Sequence, residues 1–246
     1  MSIKENIKKT IQEIGEKNSQ ALEKRYNFHW CKECNKKIKY EILQNETWGK
    51  PPDFCGDECK EKDRKKKLEA FITRNIRRIP KKYIDIETNK KQLLESSTKK
   101  SLFITGMVGT GKTVFMASLA KYYIKQGMTI SWISYTAFIM ELQNAYRNTK
   151  FNSFGDKVNP FDIADEAAKF EGYLFVDDLG AEKPTDFVKQ ITYYILNERE
   201  QRMLPTIITS NFTLEEIDEF IDRRISSRIC GMCEVLKFKG EDRRIK

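Results

Sequence analysis

In the second half of the chain, short unbroken apolar runs alternate with longer stretches of helical spacing. The runs are SLFIT (101–105), MTISWIS (128–134), GYLFVDD (172–178), PTIITSN (205–211) and CEVLKF (233–238). An apolar run without polar alternation reads as a strand covered on both faces, and helices between such runs supply the crossovers of a parallel sheet. Residues 101–246 therefore predict a five-stranded α/β domain with helices on both faces. The first hundred residues follow another pattern. Ile3, Ile7, Ile11 and Ile14 recur at steps of four, four and three, which is one stripe of an amphipathic helix. A cysteine-bearing segment follows, with Phe28, Trp30, Tyr40, Trp48 and Phe54 as its apolar content. The stretch from Lys60 to Tyr83, KEKDRKKKLEAFITRNIRRIPKKY, reads as a basic helix interrupted at Pro80.

Composition narrows the class. The 246 residues give room for one ordinary domain and a small appendage, and an aromatic content of 11% is too high for a disordered chain. No apolar run approaches the roughly 18 residues of a membrane span, and the N-terminus lacks the apolar stretch of a secretory signal. The expectation is a cytoplasmic protein with no membrane partner. The net charge of +9 is unevenly placed: residues 1–100 hold 26 basic and 16 acidic residues, while residues 101–246 hold 19 and 20. That asymmetry suggests a polyanion-facing segment joined to a neutral domain, although a solvated lysine-rich face would look the same.

Four of the six cysteines, Cys31, Cys34, Cys55 and Cys59, read C-x2-C, a gap, then C-x3-C. Each close pair can grip one metal ion from a tight turn, and two pairs complete the four-thiolate shell of a structural Zn²⁺ site. A segment this small gains little from apolar burial, so the metal would supply the missing folding free energy. His29, the sole histidine, reads as a bystander. Cys230 and Cys233 repeat the C-x2-C spacing without a partner pair and read as small apolar residues at a strand entry.

Gly106-Met107-Val108-Gly109-Thr110-Gly111-Lys112-Thr113 matches G-x4-G-K-[ST] between a strand and a helix, the context in which that motif cradles phosphates. Backbone N–H groups of Gly106, Val108, Gly109, Thr110 and Gly111 would curl around phosphate oxygens at a helix N-terminus. Lys112 would reach the β- and γ-phosphates of ATP, and the Thr113 hydroxyl would take a Mg²⁺ position. The run YLFVDD ends a strand in two carboxylates: Asp177 is placed to fix Mg²⁺ and Asp178 to orient the attacking water. Asn211 ends another strand, within reach of a γ-phosphate or the lytic water. Arg228, in RRISSRI, could reach the γ-phosphate of a neighbouring subunit.

Taken in order, GMVGTGKT, YLFVDDLGAEKPTD, YYILNERE, LPTIITSN and RRISSRICGMCEVLKFKGEDRR resemble the DnaC/DnaI and IstB-like branch of AAA+ ATPases over roughly residues 75–246, IPKKY at 79–83 included. The resemblance implies a P-loop AAA+ fold, ATP hydrolysis, and the loading of a replicative DNA helicase onto single-stranded DNA. It implies Asp177 and Asp178 as the acids of the second motif and Asn211 as the first sensor. It also implies Arg228 as an arginine finger, with Arg224 as its competitor, and Arg243 as a second sensor. The Asp-Asp ending agrees with this branch, whereas AAA+ proteins at large end that motif in Asp-Glu. Domain boundaries are expected at 1–60 (N-terminal helix and zinc-binding module for partner docking), 61–82 (basic linker helix) and 83–246 (ATPase domain). Self-association through AAA+ interfaces is expected as well.

Three functions compete: a helicase loader, an IstB-like transposition helper that binds DNA and a transposase, and an adaptor that binds ATP with little turnover. Tyr146, Phe151 and Phe154 beside Arg147 and Lys150 form a candidate single-strand platform, because aromatic rings stack on bases while cations meet phosphates. The basic stretch 60–82 is the rival nucleic-acid surface.

Overall fold

The computed structural model describes residues 26–41, 52–86, 101–147, 159–181, 185–240 and 242. The isoleucine stripe at 3–14, Trp48, Lys150, Phe151, Phe154 and Arg243 lie outside the described residues. The chain divides into two compact units, Met1–Lys67 and Leu68–Lys246.

In the first unit, β1 (Tyr26–Trp30) and β2 (Lys37–Glu41) pair antiparallel, with His29 opposite Ile38. The turn between them carries Cys31 and Cys34. It closes through Cys31 N–H to the Lys36 carbonyl at 2.8 Å and Asn35 N–H to the Cys31 carbonyl at 3.0 Å. Asn35 takes φ +57°, a left-handed position that asparagine tolerates better than most residues. Helix α1 (Asp57–Asn75) starts in this unit with acidic Asp57 and Glu58 in its first turn, where they complement the helix dipole. The unit boundary falls inside α1.

The second unit holds a five-stranded sheet in the order β4-β5-β6-β3-β7, with every neighbouring pair parallel. Its strands are β3 (Leu102–Gly106), β4 (Ile130–Ser134), β5 (Tyr173–Leu179), β6 (Thr206–Ser210) and β7 (Glu234–Phe238). All five lie within two residues of the expected runs. The helices are α2 (Lys112–Lys125), α3 (Tyr135–Arg147), α4 (Pro160–Lys169), α5 (Asp186–Gln201), α6 (Leu214–Phe220) and α7 (Arg223–Met232). Thr185, Thr213 and Asp222 each cap a helix start by accepting a backbone N–H from the first turn.

The sheet separates two apolar clusters, as a doubly covered parallel sheet must. One face presents Leu102, Ile104, Phe175 and Ile207 to α2. Phe71, Ile72, Ile76 and Ile79 pack against the same cluster, so the stretch expected to be a linker contributes core residues to the second unit. Arg78 donates from its guanidinium to the Ile130 carbonyl at 2.8 Å. The other face presents Phe103, Leu174, Val176 and Ile208 to α3, α5 and α7.

Arg199 on α5 is fully buried. Its guanidinium donates to Thr206 Oγ1 (2.8 Å) and to the carbonyls of Ala167 (3.1 Å), Phe170 (2.8 Å), Gly172 (3.0 Å) and Pro205 (2.7 Å). One side chain thus ties the end of α4 to the entries of β5 and β6 by donating to carbonyls at all three. Burial lowers its pKa to about 10, which keeps it charged at neutral pH. No helix among the described residues is long and apolar enough to cross a membrane.

Candidate nucleotide site and cysteine cluster

The phosphate loop leaves the end of β3, the strand held between β6 and β7, and enters α2. Gly106 needs its missing side chain twice over: its φ is +152°, and a Cβ there would collide with the Phe238 carbonyl of β7. Lys112, nearly buried, folds back over the loop. Its Nζ donates to the carbonyls of Gly106 (2.7 Å) and Met107 (2.8 Å) and to Asn211 Oδ1 (2.8 Å). The Asn211 amide in turn donates to Asp178 Oδ1 at 3.3 Å. Thr113 Oγ1 donates to Asp177 Oδ1 at 2.9 Å, and Thr209 Oγ1 donates to the same oxygen at 2.7 Å. Burial raises the Asp177 carboxyl above its ordinary value, opposed by these two hydroxyl donors.

The structure therefore gathers Lys112, Thr113, Asp177, Asp178 and Asn211 from three strand ends into one hydrogen-bonded set, although up to 99 residues separate them in sequence. Ligands of open α/β sheets bind at this carboxyl edge. The cleft beside the set has a volume of about 250 Å³ and is lined by Val108, Gly109, Gly111, Lys112, Thr113, Asp178 and Asn211. Val114, Lys82, Tyr83 and Ile86 complete the lining; sequence reasoning gave Tyr83 and Ile86 no site role and placed Lys82 only in the basic stretch 60–82. Lys121 of α2 donates to the carbonyls of Ile84 (3.2 Å) and Ile86, which ties that segment to the cleft. The sequence signal was the run IPKKY, but only the fold places it beside the phosphate loop.

Two expected residues stand apart from the cleft lining. Arg228 on α7 donates to Glu200 Oε2 at 2.7 Å, and its guanidinium lies 5.7 Å from the Tyr193 ring centre. Arg224, one turn earlier and more exposed, grips Asp222 through Nε (3.1 Å) and a terminal nitrogen (2.9 Å) and sits 5.1 Å from the same ring.

In the first unit the sulfurs of Cys31, Cys34, Cys55 and Cys59 all lie within 4.8 Å of one another. Backbone N–H donors, foremost that of Cys34, hold the Cys31 thiol down at about 6. Four thiols converging at this spacing suit a tetrahedral Zn²⁺ shell and lie outside ordinary apolar packing. His29, Cys230 and Cys233 are not in the cluster. Burial instead pushes the Cys233 thiol up to about 12.

The candidate single-strand platform is partly described. Tyr146 is 72% exposed, and its ring lies 5.7 Å from that of Phe187. Phe161, 59% exposed, joins them with Arg147, Gln143 and Gln190 around an open depression of about 550 Å³. Phe161 and Phe187 come from helices expected only to cover the sheet. Of the rival basic stretch, four cations are already paired: Lys60 with Asp57, Arg64 with Glu61, Lys66 with Glu33 and Lys67 with Asp63.

Comparison with known proteins places these features. The family model described as IstB-like ATP binding protein matches residues 64–246. The replicative helicase loader DnaI of Bacillus subtilis (strain 168) is 26% identical over 167 residues, which is 63% of this chain and 50% of DnaI. The chain thus spans about half the length of that relative. Among solved structures, a candidate primosome component from Streptococcus pyogenes serotype M3 aligns with a TM-score of 0.51 at 23% identity, over 72% of this chain and 99% of the other. A replication initiator DnaA bound to AMPPCP and single-stranded DNA aligns with a TM-score of 0.50 at 20% identity, over 66% of this chain and 51% of the other. At those identities the two structures speak for the AAA+ fold alone. The family match reaches across every strand of the sheet and every residue that converges on the phosphate loop, and by it the chain belongs to the IstB-like ATP-binding proteins of the AAA+ class.

Proposed function

We propose that this protein is an ATPase that loads a replicative hexameric helicase onto single-stranded DNA. The observation that carries the reading is the convergence of Lys112, Thr113, Asp177, Asp178 and Asn211 at one end of the sheet. That set divides the work of phosphoryl transfer to water. Lys112 exchanges its carbonyl contacts for the β- and γ-phosphates, and Thr113 with Asp177 would hold Mg²⁺, which neutralises charge between those phosphates. Asp178 orients the attacking water, with Asn211 bridging it to the phosphate side. Tyr83 and Ile86 supply apolar surface for the nucleoside end of ATP. Arg228 or Arg224 serves a neighbouring protomer, since neither lines the cleft of its own chain. The likeness to DnaI supports the choice of a helicase as partner, and the exposed Tyr146 and Phe161 with half-buried Phe187 beside Arg147 support single-stranded DNA. Cys31, Cys34, Cys55 and Cys59 would hold Zn²⁺ in a small module that docks the partner.

Co-purification with a hexameric replicative helicase, using wild type and Asp178→Asn, tests this. Asp178→Asn is expected to bind ATP and retain the helicase while turnover falls by about 10²–10⁴-fold, the usual worth of a positioned acid–base group. Failure of the wild type to bind any replicative helicase, with or without ATP, overturns the loader reading. The family match favours one second reading, a transposition helper; tighter binding to duplex than to single strands, together with capture of a transposase, would establish it.

A further inference from the structure

Thr209 lies in the middle of an apolar strand and is fully buried. The register around it is irregular. Ile208 of β6 pairs with Val176 of β5, and the next pair is Ser210 with Leu179. Two residues of β5, Asp177 and Asp178, therefore stand opposite one residue of β6, and that residue is Thr209. Such a two-against-one mismatch is a β-bulge, a device that re-aims a side chain and often sits beside active sites.

The side-chain directions show what the bulge does. Tyr173 and Phe175 face α2, whereas Leu174 and Val176 face the opposite cluster. Regular alternation would put Asp177 on the α2 face, Asp178 on the opposite face and Leu179 on the α2 face again. Leu179 is instead buried in the cluster with Leu174 and Val176. Asp178 is thus the extra residue, and its carboxylate reaches the cleft and Asn211 on the same side as Asp177. The turn requires φ +63° at Asp178, an uncommon conformation for a residue with a side chain. A bulge also leaves a ladder hydrogen bond unmade. Here the Asp178 N–H donates to Thr209 Oγ1 at 2.9 Å, and that hydroxyl in turn donates a hydrogen bond to Asp177 Oδ1 at 2.7 Å.

We propose that Thr209 is the positioning residue of the carboxylate pair, its one hydroxyl both closing the backbone bulge that turns Asp178 into the cleft and fixing the rotamer of Asp177. Its neighbours cannot substitute. Ser210 spends its hydroxyl on the Leu179 carbonyl at 2.7 Å, and Thr105 spends its own on the Phe212 carbonyl at 2.6 Å. Thr209 acts through the two acids, so the inference rests on reading Asp177 and Asp178 as the acids of an ATPase site.

Three full-length variants make the test: Thr209→Val, Thr209→Ser and Asp178→Asn. Affinity for a fluorescent ATP analogue, kcat and KM for ATP, and thermal unfolding are measured for each. Thr209→Val keeps the shape and removes the hydroxyl, so it should bind ATP within about threefold of wild type and lose roughly 10–100-fold in kcat, the usual cost of removing a partner that orients a ligating group. Thr209→Ser restores both hydrogen bonds and should recover kcat to within about threefold, which a purely structural role would not predict. If Thr209→Val does not fold, Thr209→Cys replaces it, because a thiol is a weak donor and acceptor; a kcat near that of Thr209→Ser would then overturn the proposal. Wild-type kcat in Thr209→Val, or equal losses in the Val and Ser variants, also overturns it. Wild-type turnover by Asp178→Asn would instead sink the ATPase-acid reading and leave its mark on a different variant.

Discussion

The two units solve stability in opposite ways. The first has a two-stranded hairpin and the start of a helix, with Cys31 and Cys59 as its buried apolar residues among those described. Its four sulfurs lie closer together than any apolar core there could require. The second sandwiches a five-stranded sheet between two apolar clusters and ties the sheet entries with one buried arginine. A small module can lend its folding to a metal ion, whereas a large one folds on area and hydrogen bonds. On the proposed reading, a variant of the first unit should lose partner docking and leave the nucleotide site of the second unit intact.

The sharpest way to break the comparison is to disrupt the cysteine cluster. Purified protein should carry about one Zn²⁺ per chain by elemental analysis. Replacing Cys31 and Cys34 with serine should forfeit on the order of 10 kcal/mol of binding free energy and unfold the first unit. Nucleotide binding by the second unit should persist. Protein free of zinc after chelator-free purification, or loss of ATP binding in the double variant, would erase the contrast.

Arg199→Leu attacks the other side. It removes the hydrogen bonds that the buried guanidinium gives to Thr206 and to the carbonyls of Ala167, Phe170 and Gly172, and should cost about 3 kcal/mol or more, seen in calorimetry as a drop of roughly 6–12 °C in Tm. Zinc content should not change. An unaltered Tm would show that the arginine is replaceable by packing.

These two predictions differ in how they could have been foreseen. The cysteine spacing declares its chemistry because metal geometry constrains ligands locally, and G-x4-G-K-[ST] does the same for phosphate. The strands were legible because a doubly covered sheet leaves unbroken apolar runs. Arg199 was not legible: in YYILNERE it reads as one charge of an exposed helical face, and only the carbonyls brought by α4, β5 and β6 show its purpose. Thr209 was hidden in the same way, as a β-branched residue in PTIITSN whose hydroxyl gains meaning only from a bulge in another strand. Lys82, Tyr83 and Ile86 precede the phosphate loop in sequence and reach the cleft through topology alone.

The smallest expected effect sharpens which unit meets DNA. Tyr146→Ala or Phe161→Ala should weaken single-strand binding by about 1–3 kcal/mol per base left unstacked, with little change in salt dependence. Neutralising Lys62 and Lys65 on α1 should instead flatten the slope of log K against log salt by about 0.7 for each phosphate no longer neutralised. A titration of each variant at several salt concentrations separates the two. Weaker affinity confined to the lysine variants would move the DNA surface away from the aromatic depression.

The sheet order sets a timetable for synthesis. Strand β3, which carries the phosphate loop, pairs with β6 through Leu102 and Ile207 and with β7 through Leu102 and Glu234. Both partners lie more than a hundred residues downstream, so pairings of high sequence separation close the centre of the fold last. At about 5–20 residues per second, a ribosome needs roughly 7–26 s to travel from Gly106 to Phe238. Until β6 is made the nascent phosphate loop has no strand on either side, and the cradle is finished only when β7 arrives.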